Sequence, residues 1–189
     1  MTTPQSKADV RKIVSQRRSQ LRLIANPNRA GAIAERGLAL IQDLPVESRI
    51  AIFMSFGSEP PMGALLDELV YRNYEVVLPK VISETDLTWH LLNGFWEPDF
   101  YRIDSPTSEA LPDGLASCAA IFIPAIAIDA DGARLGRGAG FYDRSLAEVA
   151  RERDGGPRRI GVVDPAGFLP VGLIPMSVHD QWLDAALVG

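Results

Sequence analysis

Asp129 to Arg144 read D-A-D-G-A-R-L-G-R-G-A-G-F-Y-D-R. Gly136, Gly138 and Gly140 alternate, and Arg134, Arg137 and Arg144 surround them with no acid between Gly132 and Tyr142. Glycine lets the backbone reach positive φ and lets a ligand come close to the main chain. Successive amides in such a loop form an anion-binding concavity, and a helix starting after it adds the positive end of its dipole. Arginines supply forked donors matched to phosphate. Phosphate binding is the chemistry this composition suits. A tight bend before a helix would also explain the glycines, but not the three arginines. No G-x-x-x-x-G-K-[ST] occurs, and the sixth position from Gly136 is Phe141, so neither the Walker A loop nor the dinucleotide fingerprint is present.

Other residues could do chemistry, each with a plainer reading beside it. Lys7, Arg11, Arg18 and Arg22 share a helical stripe, and seven cations face one acid, Asp9, between Lys7 and Arg29. The stripe is either a solvated helix face or a surface for a partner with several negative charges. Glu59 falls between a strand end and a helix start. It either favours the helix dipole or contacts a ligand at the sheet edge where ligands of open α/β folds gather. Phe95, Trp96, Phe100 and Tyr101 form either a stacking surface for a flat ring or a small satellite core. Asp143 and Asp180 are either acids at helix starts or carboxylates for a metal bound with phosphate. Cys118 opens an apolar run and reads as a buried structural thiol. His90 reads as an ordinary strand residue.

These groups need positioning elements. After a loose terminus at 1–6, the spacing of Val10, Ile13, Val14, Leu21 and Ile24 predicts a helix from Lys7 to Ile24 with those residues inward. A turn at Asn26-Pro27-Asn28 precedes a helix from Arg29 to Gln42, with Ile33, Leu38 and Ile41 inward. Arg49 to Met54 reads as a buried strand, Met62 to Tyr71 as a helix and Glu75 to Pro79 as a second buried strand. Asp86 to Leu92 alternates like a strand nearer an edge, and Asn93 to Pro112 looks irregular. Ala119 to Ile128 is an apolar run interrupted only by Pro124, Phe141 to Val149 a helix, Arg159 to Val163 a strand and Ala185 to Val188 a last short one. The alternation predicts α/β: a single three-layer α/β/α domain with a mostly parallel sheet.

Composition narrows the function. The 189 residues fit one domain. Hydrophobic residues at 47% and charged ones at 23% are ordinary for a soluble globular protein. A net charge of −5 argues against a general nucleic-acid binder. One cysteine excludes an intramolecular disulfide, and with it the two histidines cannot make a zinc cluster. No apolar run is long enough to span a membrane, and no apolar signal region opens the chain, so the expected location is the cytoplasm.

The run G-x-R-L-G-x-G-x-G-[FY]-Y-D-R, matched by Gly132 to Arg144, resembles the signature of the 5-formyltetrahydrofolate cyclo-ligases, also called 5,10-methenyltetrahydrofolate synthetases. Ser55 and Glu59 match an S-x-x-x-E-x-x-T stretch, with Met62 where Thr is usual. Tyr101, Ile103 and Pro106 match Y-G-I-x-E-P, whereas Arg102 and Ser105 do not. Asp164-Pro165-Ala166 stands where a Gln is common, and Pro175, His179 and Asp180 match an L-P-x-x-x-H-D ending. The resemblance implies ATP-dependent cyclisation of 5-formyltetrahydrofolate to 5,10-methenyltetrahydrofolate through a phosphorylated formyl intermediate, giving ADP and phosphate. It implies ATP contacts from Lys7, Arg11, Arg134, Gly136, Arg137, Gly138, Gly140 and Tyr142, with Arg137 and Tyr142 at the chemistry. It places Met54, Glu59, Tyr101 and Phe141 on the folate, and Asp143 and Asp180 on Mg²⁺. The expected partner is a reduced folate and the expected state a monomer. A related ATP-using enzyme, or a folate- or nucleotide-binding regulator, fits the same residues, because the departures lie outside the glycine loop.

Overall fold

The computed structural model describes residues 6–21 and 28–189. Its helices are α1 (Lys7–Leu21), α2 (Arg29–Ala39), α3 (Gly63–Tyr71) and α4 (Phe141–Ser145). Its strands are β1 (Arg49–Ala51), β2 (Glu75–Val81), β3 (Leu87–Leu91), β4 (Trp96–Pro98), β5 (Asp104–Pro106), β6 (Ala120–Pro124), β7 (Ala127–Asp129), β8 (Arg134–Leu135), β9 (Arg158–Val163), β10 (Phe168–Leu169) and β11 (Ala185–Val188). Short 3₁₀ turns lie at Gly114–Ser117, Glu152–Asp154 and Pro165–Gly167.

Six strands form the main sheet in the order β11-β9-β6-β1-β2-β3, parallel except for β3 at one edge. Both faces are buried, and alternate residues divide between two cores. Ile50, Ile52, Val76, Leu78, Ala120, Phe122, Ile160 and Val162 pack under Ile33, Leu65 and Leu69 of α2 and α3. Ala51, Val77, Ile121, Ile123 and Val163 pack on the other face against Leu115, Cys118, Leu146 and Leu183. The chain builds from β1 toward β2 and β3, then crosses back to β6 and proceeds through β9 to β11. The direction of winding reverses between β1 and β6. In open α/β sheets such a reversal leaves a crevice beyond the strand ends. Among the described residues, no helix is long and apolar enough to cross a membrane.

Several boundaries differ from those expected, for identifiable reasons. The expected strand Ala119 to Ile128 is two strands. Pro124 ends β6, Ala125 donates to Val162, and β7 leaves to form a separate three-stranded sheet, β10-β7-β8. The second helix stops at Ala39 rather than Gln42, where the bonding tightens and Ile41 N takes the Leu38 carbonyl three residues back, while Arg158 takes the Leu40 carbonyl at 2.6 Å. The helix expected over Phe141 to Val149 stops at Ser145, where Ala147 N and Val149 N likewise bond three residues back, to Arg144 and Leu146, and Arg159 gathers the Leu146, Val149 and Ala150 carbonyls beyond. The first strand is in register only through Ala51, with Ile52 still donating to Val77 before the chain turns away. The stretch 93–112 is not irregular throughout, since β4 and β5 pair in it as an antiparallel hairpin. The edge position expected for 86–92 is found in β3.

α1 stands on the small sheet. Val10 and Val14 are sealed against Ala127, Ala133, Leu135, Leu169 and Ile174. Ile13, expected inward, is 38% exposed, because the platform is wide enough for one i, i+4 row only. Arg22, Ile24, Asn26 and Pro27, the terminal residues 1–5 and the side chain of Leu21 lie outside the described residues. His90 is an ordinary buried strand residue, within 2.8 Å of Thr88 Oγ1 and 2.6 Å of the Ser108 carbonyl.

The segment before β11 is docked by one glycine. Gly132 has φ 87°, and its carbonyl accepts from Leu183 N at 2.9 Å. A Cβ on Gly132 would lie 2.4 Å from the Leu183 carbonyl oxygen. Backbone cannot yield as a side-chain tip can, and positive φ is itself unfavourable for alanine. Gly132→Ala should therefore destabilise the protein by about 2–4 kcal/mol, read as a lower urea midpoint at unchanged slope. An unchanged midpoint would show that the docking is not rigid.

Candidate functional site

The crevice at the winding reversal is a cavity of 1140 Å³, with walls from Met54 after β1, Pro124 after β6, the loop 136–140, α1 and the β4–β5 hairpin. That is large for one small molecule and suits two side by side.

Its cationic side is assembled from distant segments. Arg11 of α1 donates through Nε and Nη2 to the Gly136 carbonyl at 3.2 and 3.1 Å. Lys7, one turn earlier, binds both carboxylate oxygens of Asp180 at 2.6 Å. The stripe Lys7, Arg11, Arg18 thus faces the cavity and not bulk solvent. Gly138 at φ 115° and Gly140 at φ 73° give the loop the left-handed turns that glycine permits. The five-residue α4 that follows offers a far smaller dipole than the expected nine-residue helix.

Arg134 lies behind this loop. It is buried, with Nη2 on Asp143 at 2.7 Å, Nη1 on the Pro124 carbonyl at 3.3 Å and its guanidinium 5.9 Å from the centre of the Tyr142 ring. Tyr142 sits edge-on to Trp89, 5.7 Å between centroids. Burial, with the Glu59 charge adding to it and Arg134 opposing, pushes the phenol well above its ordinary pKa, so it stays protonated and can donate. Cys118 is likewise buried, which pushes its thiol up to about 11 despite hydrogen bonding from Ser117, in keeping with an inert structural cysteine.

The opposite side carries Glu59 and the aromatic residues. Ser55 Oγ donates to the Pro60 carbonyl at 2.6 Å and accepts from Met62 N at 2.9 Å, closing the loop that holds Glu59. That loop needs no threonine at 62, where Met62 is instead packed into the core at 1% exposure. Met54, Phe56 and Tyr101 stand open along the cavity, and Phe141 faces it from the glycine loop. Tyr101 is at the hairpin tip, edge-on to Phe100 at 5.1 Å. The tip is tied by Asp99, which accepts from Tyr101 N and Ile103 N at 2.9 Å each. Arg102 between them takes φ 61°, the left-handed region that favours glycine.

The two candidate metal acids are brought together. Gln181 N, the peptide after Asp180, donates to Asp143 Oδ1 at 3.3 Å. Both carboxylates already have a cation, Lys7 on Asp180 and Arg134 on Asp143. Asp180 does not cap a helix; it accepts instead from Ser177 N and Oγ. Among the described residues no group of three His, Cys, Asp or Glu could hold a metal. Two carboxylates facing a phosphate-sized space do fit Mg²⁺, which takes few protein ligands and completes its shell with phosphate oxygens and water.

Arg18 and Arg144, cations of the α1 stripe and the glycine loop, also line this site, and Arg159 supports it from behind. Arg18 donates to Ser58 Oγ at 2.9 Å, and Arg144 holds the Thr85 and Ala139 carbonyls. Arg159 reaches Gln181 Oε1 at 3.1 Å from β9. Only the finished fold juxtaposes them.

Fold and cavity together define an open α/β protein that presents a cation-rimmed loop and an aromatic wall to one crevice at its winding reversal. The profile of the 5-formyltetrahydrofolate cyclo-ligase family matches residues 3–189, and the chain belongs to that family. It is similar to the 5-formyltetrahydrofolate cyclo-ligase of Mycolicibacterium smegmatis, 32% identical over 160 residues that span 78% of each protein. The Haemophilus influenzae cyclo-ligase is 27% identical over 182 residues, 89% of this chain and 83% of its own. Among solved structures, the 5,10-methenyltetrahydrofolate synthetase of Mycoplasma pneumoniae shares the fold at a TM-score of 0.70 and 21% identity, over 96% of this chain and 98% of that one. The Aquifex aeolicus synthetase does so at a TM-score of 0.72 and 22% identity, over 96% of this chain and 89% of that one. The protein is thus an ATP-dependent enzyme with a folate substrate, a 5-formyltetrahydrofolate cyclo-ligase.

The Lys7–Asp180 pair has a pH signature. Partial burial alone would raise the Asp180 pKa, but the Lys7 ammonium and the Ser177 donors outweigh it and hold the carboxyl below its ordinary value. A depressed folded pKa gives stability that is complete above the unfolded value, about 3.9, and lost as pH falls through the folded value. Lys7→Ala should flatten the fall in stability as the pH drops below about 4. Urea midpoints measured across that window check this, and a slope equal to the parent's would remove the pair as its cause.

Proposed function

We propose that the cavity holds ATP and 5-formyltetrahydrofolate together, with the γ-phosphate over the loop 136–140 and the formyl group directed at it. The observation that carries this reading is Arg11 on the Gly136 carbonyl of that loop and Lys7 on Asp180 beside it, in one cavity with Glu59 and Tyr101. Lys7, Arg11, Arg137 and the backbone of Gly136, Gly138 and Gly140 bind the phosphates. Arg134 acts from behind, setting Asp143 and Tyr142. Met54, Glu59, Tyr101 and Phe141 hold the folate, Glu59 accepting from the amino edge of the pterin and Tyr101 lying along its ring.

The formyl oxygen attacks the γ-phosphorus, and the bond from that phosphorus to the ADP oxygen breaks. Oxygen bound to phosphorus is now a competent leaving group on a carbon doubly bonded to N5. N10 attacks that carbon, the carbon–oxygen bond breaks, and the N10 proton leaves with the phosphate. The protein neutralises and positions throughout, which is what phosphoryl transfer demands. Arg137 takes the charge on the transferring group, and the protonated Tyr142 donates beside it. Asp143 and Asp180 would hold Mg²⁺, which would supply further charge neutralisation to the phosphates. From length and composition, we take the chain to work as one domain, a monomer in the cytoplasm.

The direct test mixes protein, ATP, Mg²⁺ and 5-formyltetrahydrofolate and follows the methenyl-folate absorbance band. The band should grow only when all components are present. Nucleotide binding without that growth would leave a binding protein on the same fold. Lys7→Ala and Arg137→Ala should each weaken ATP binding by about 1.5–3 kcal/mol, roughly 10- to 150-fold, in a titration without folate. Unchanged affinity in both would take these residues off the phosphates. Asp143→Asn and Asp180→Asn should each raise the Mg²⁺ concentration at half-maximal activity, and weaken Mg²⁺ retention by the ATP complex in a direct titration. An aspartate whose variant matches the parent in both is not a ligand.

A further inference from the structure

The two sides of the cavity are tied to each other by the residues assigned to opposite ligands. Arg137 donates to Glu59 Oε1 through Nε at 3.1 Å, and its Nη2 lies 3.0 Å from the same oxygen as an ion-pair contact. The same Nη2 reaches the Phe56 carbonyl at 3.1 Å, and the guanidinium lies 5.9 Å from the Phe56 ring centre. Glu59 Oε2 is taken by Phe56 N at 2.9 Å. The result is a closed circuit: Phe56 amide to Glu59, Arg137 to Glu59, and Arg137 to the Phe56 carbonyl. In it both Glu59 oxygens are committed, as are two of the three guanidinium nitrogens of Arg137.

Neither residue can serve its own ligand fully while the circuit is closed. Each Glu59 oxygen already accepts one of these bonds, so the carboxylate is partly spent before a two-donor pterin edge reaches it. The Nε–Nη2 edge of Arg137, one of the forked faces that phosphate favours, is turned to Glu59 and Phe56. The two partners differ in freedom. The Arg137 side chain is 54% exposed and can swing; that of Glu59 is 15% exposed and cannot.

We propose that the Glu59–Arg137 pair is a latch that couples the two substrate sites. ATP draws the exposed guanidinium onto its phosphates, and Glu59 is left with an open acceptor aimed into the folate side. Folate binding to Glu59 frees Arg137 in the same way. Whichever ligand arrives first breaks the pair, and the second binds without having to break it. By linkage the coupling is reciprocal and equal in both directions. A part-exposed ion pair sets its size at about two- to fivefold. The latch rests on the assignment of Arg137 to ATP and Glu59 to folate.

Calorimetric titrations with a non-hydrolysable ATP analogue and with 5-formyltetrahydrofolate test it, each alone and with the other saturating. In the parent protein each ligand should tighten the other by about two- to fivefold. Arg137→Ala should bind the nucleotide more weakly, yet bind folate alone about two- to fivefold more tightly than the parent, with no further gain from nucleotide. Glu59→Gln keeps the side-chain shape and drops the charge. It should bind folate more weakly and the nucleotide alone more tightly. Losses for the residue's own ligand without these crossed gains would overturn the latch and leave the site assignment standing. Unchanged affinity for the residue's own ligand in both variants would overturn the assignment and the latch with it.

Discussion

A guanidinium sealed inside the protein sets the geometry on which the rest depends. Arg159 is 1% exposed, and no carboxylate hydrogen-bonds its side chain. Burial lowers its pKa, with Arg151 adding and Asp184 opposing. A charge so placed is tolerable only where polar groups replace its water. Here the Val149 carbonyl does so at 2.6 Å, with Leu146, Ala150 and the Gln181 side chain around it. A helix running on to Val149 would use carbonyls only as far as Ser145, so these carbonyls lie just beyond the helical bonding and are left to solvate the cation where the chain leaves α4. Gln181 in turn holds Asp143 through its backbone. The spacing of Asp143 and Asp180 is thereby fixed from the core, not by the flexibility of two surface loops.

What is legible from residue types is whatever depends on nearby residues. The near-continuous apolar runs of β1, β2, β6 and β9 predict burial on both faces, and the two cores divide those residues accordingly. The glycine–arginine run announces itself because no ordinary element has that composition. The ends of α2 and α4 carry no local mark: in both the bonding tightens to three residues back after the last helical turn, and the carbonyls left beyond are taken by Arg158 and Arg159, adjacent residues of β9 that are distant in sequence. Pro124 marks the break in the apolar run, but not that the chain then changes sheets. Nor does any spacing reveal that Arg137 and Glu59 meet, since their proximity is made by the reversal of winding between β1 and β6.

Departures from the family's usual residues are absorbed within a few ångströms of where they occur. Ser55 alone closes the Glu59 loop that would otherwise share the task with a threonine. Arg102 keeps a backbone conformation suited to the glycine seen in relatives, held by the Asp99 carboxylate on either side. Asp164, in the place of a glutamine, accepts from Ala166 N and pairs with Arg29 at 2.7 Å, tying α2 to the turn after β9.

The Lys7–Asp180 pair spans 173 positions of sequence, and Arg11 meets Gly136 across 125. Closing loops of that size is entropically costly, and topologies dominated by distant contacts assemble late and slowly. The cationic stripe of α1 therefore gains the Asp180 counter-charge on Lys7, and Val10 and Val14 their apolar platform of β7, β8 and β10, only from segments more than a hundred residues further along the chain. The wall that α1 gives the cavity is thus a late product of folding, formed when the small sheet is complete enough to seat it.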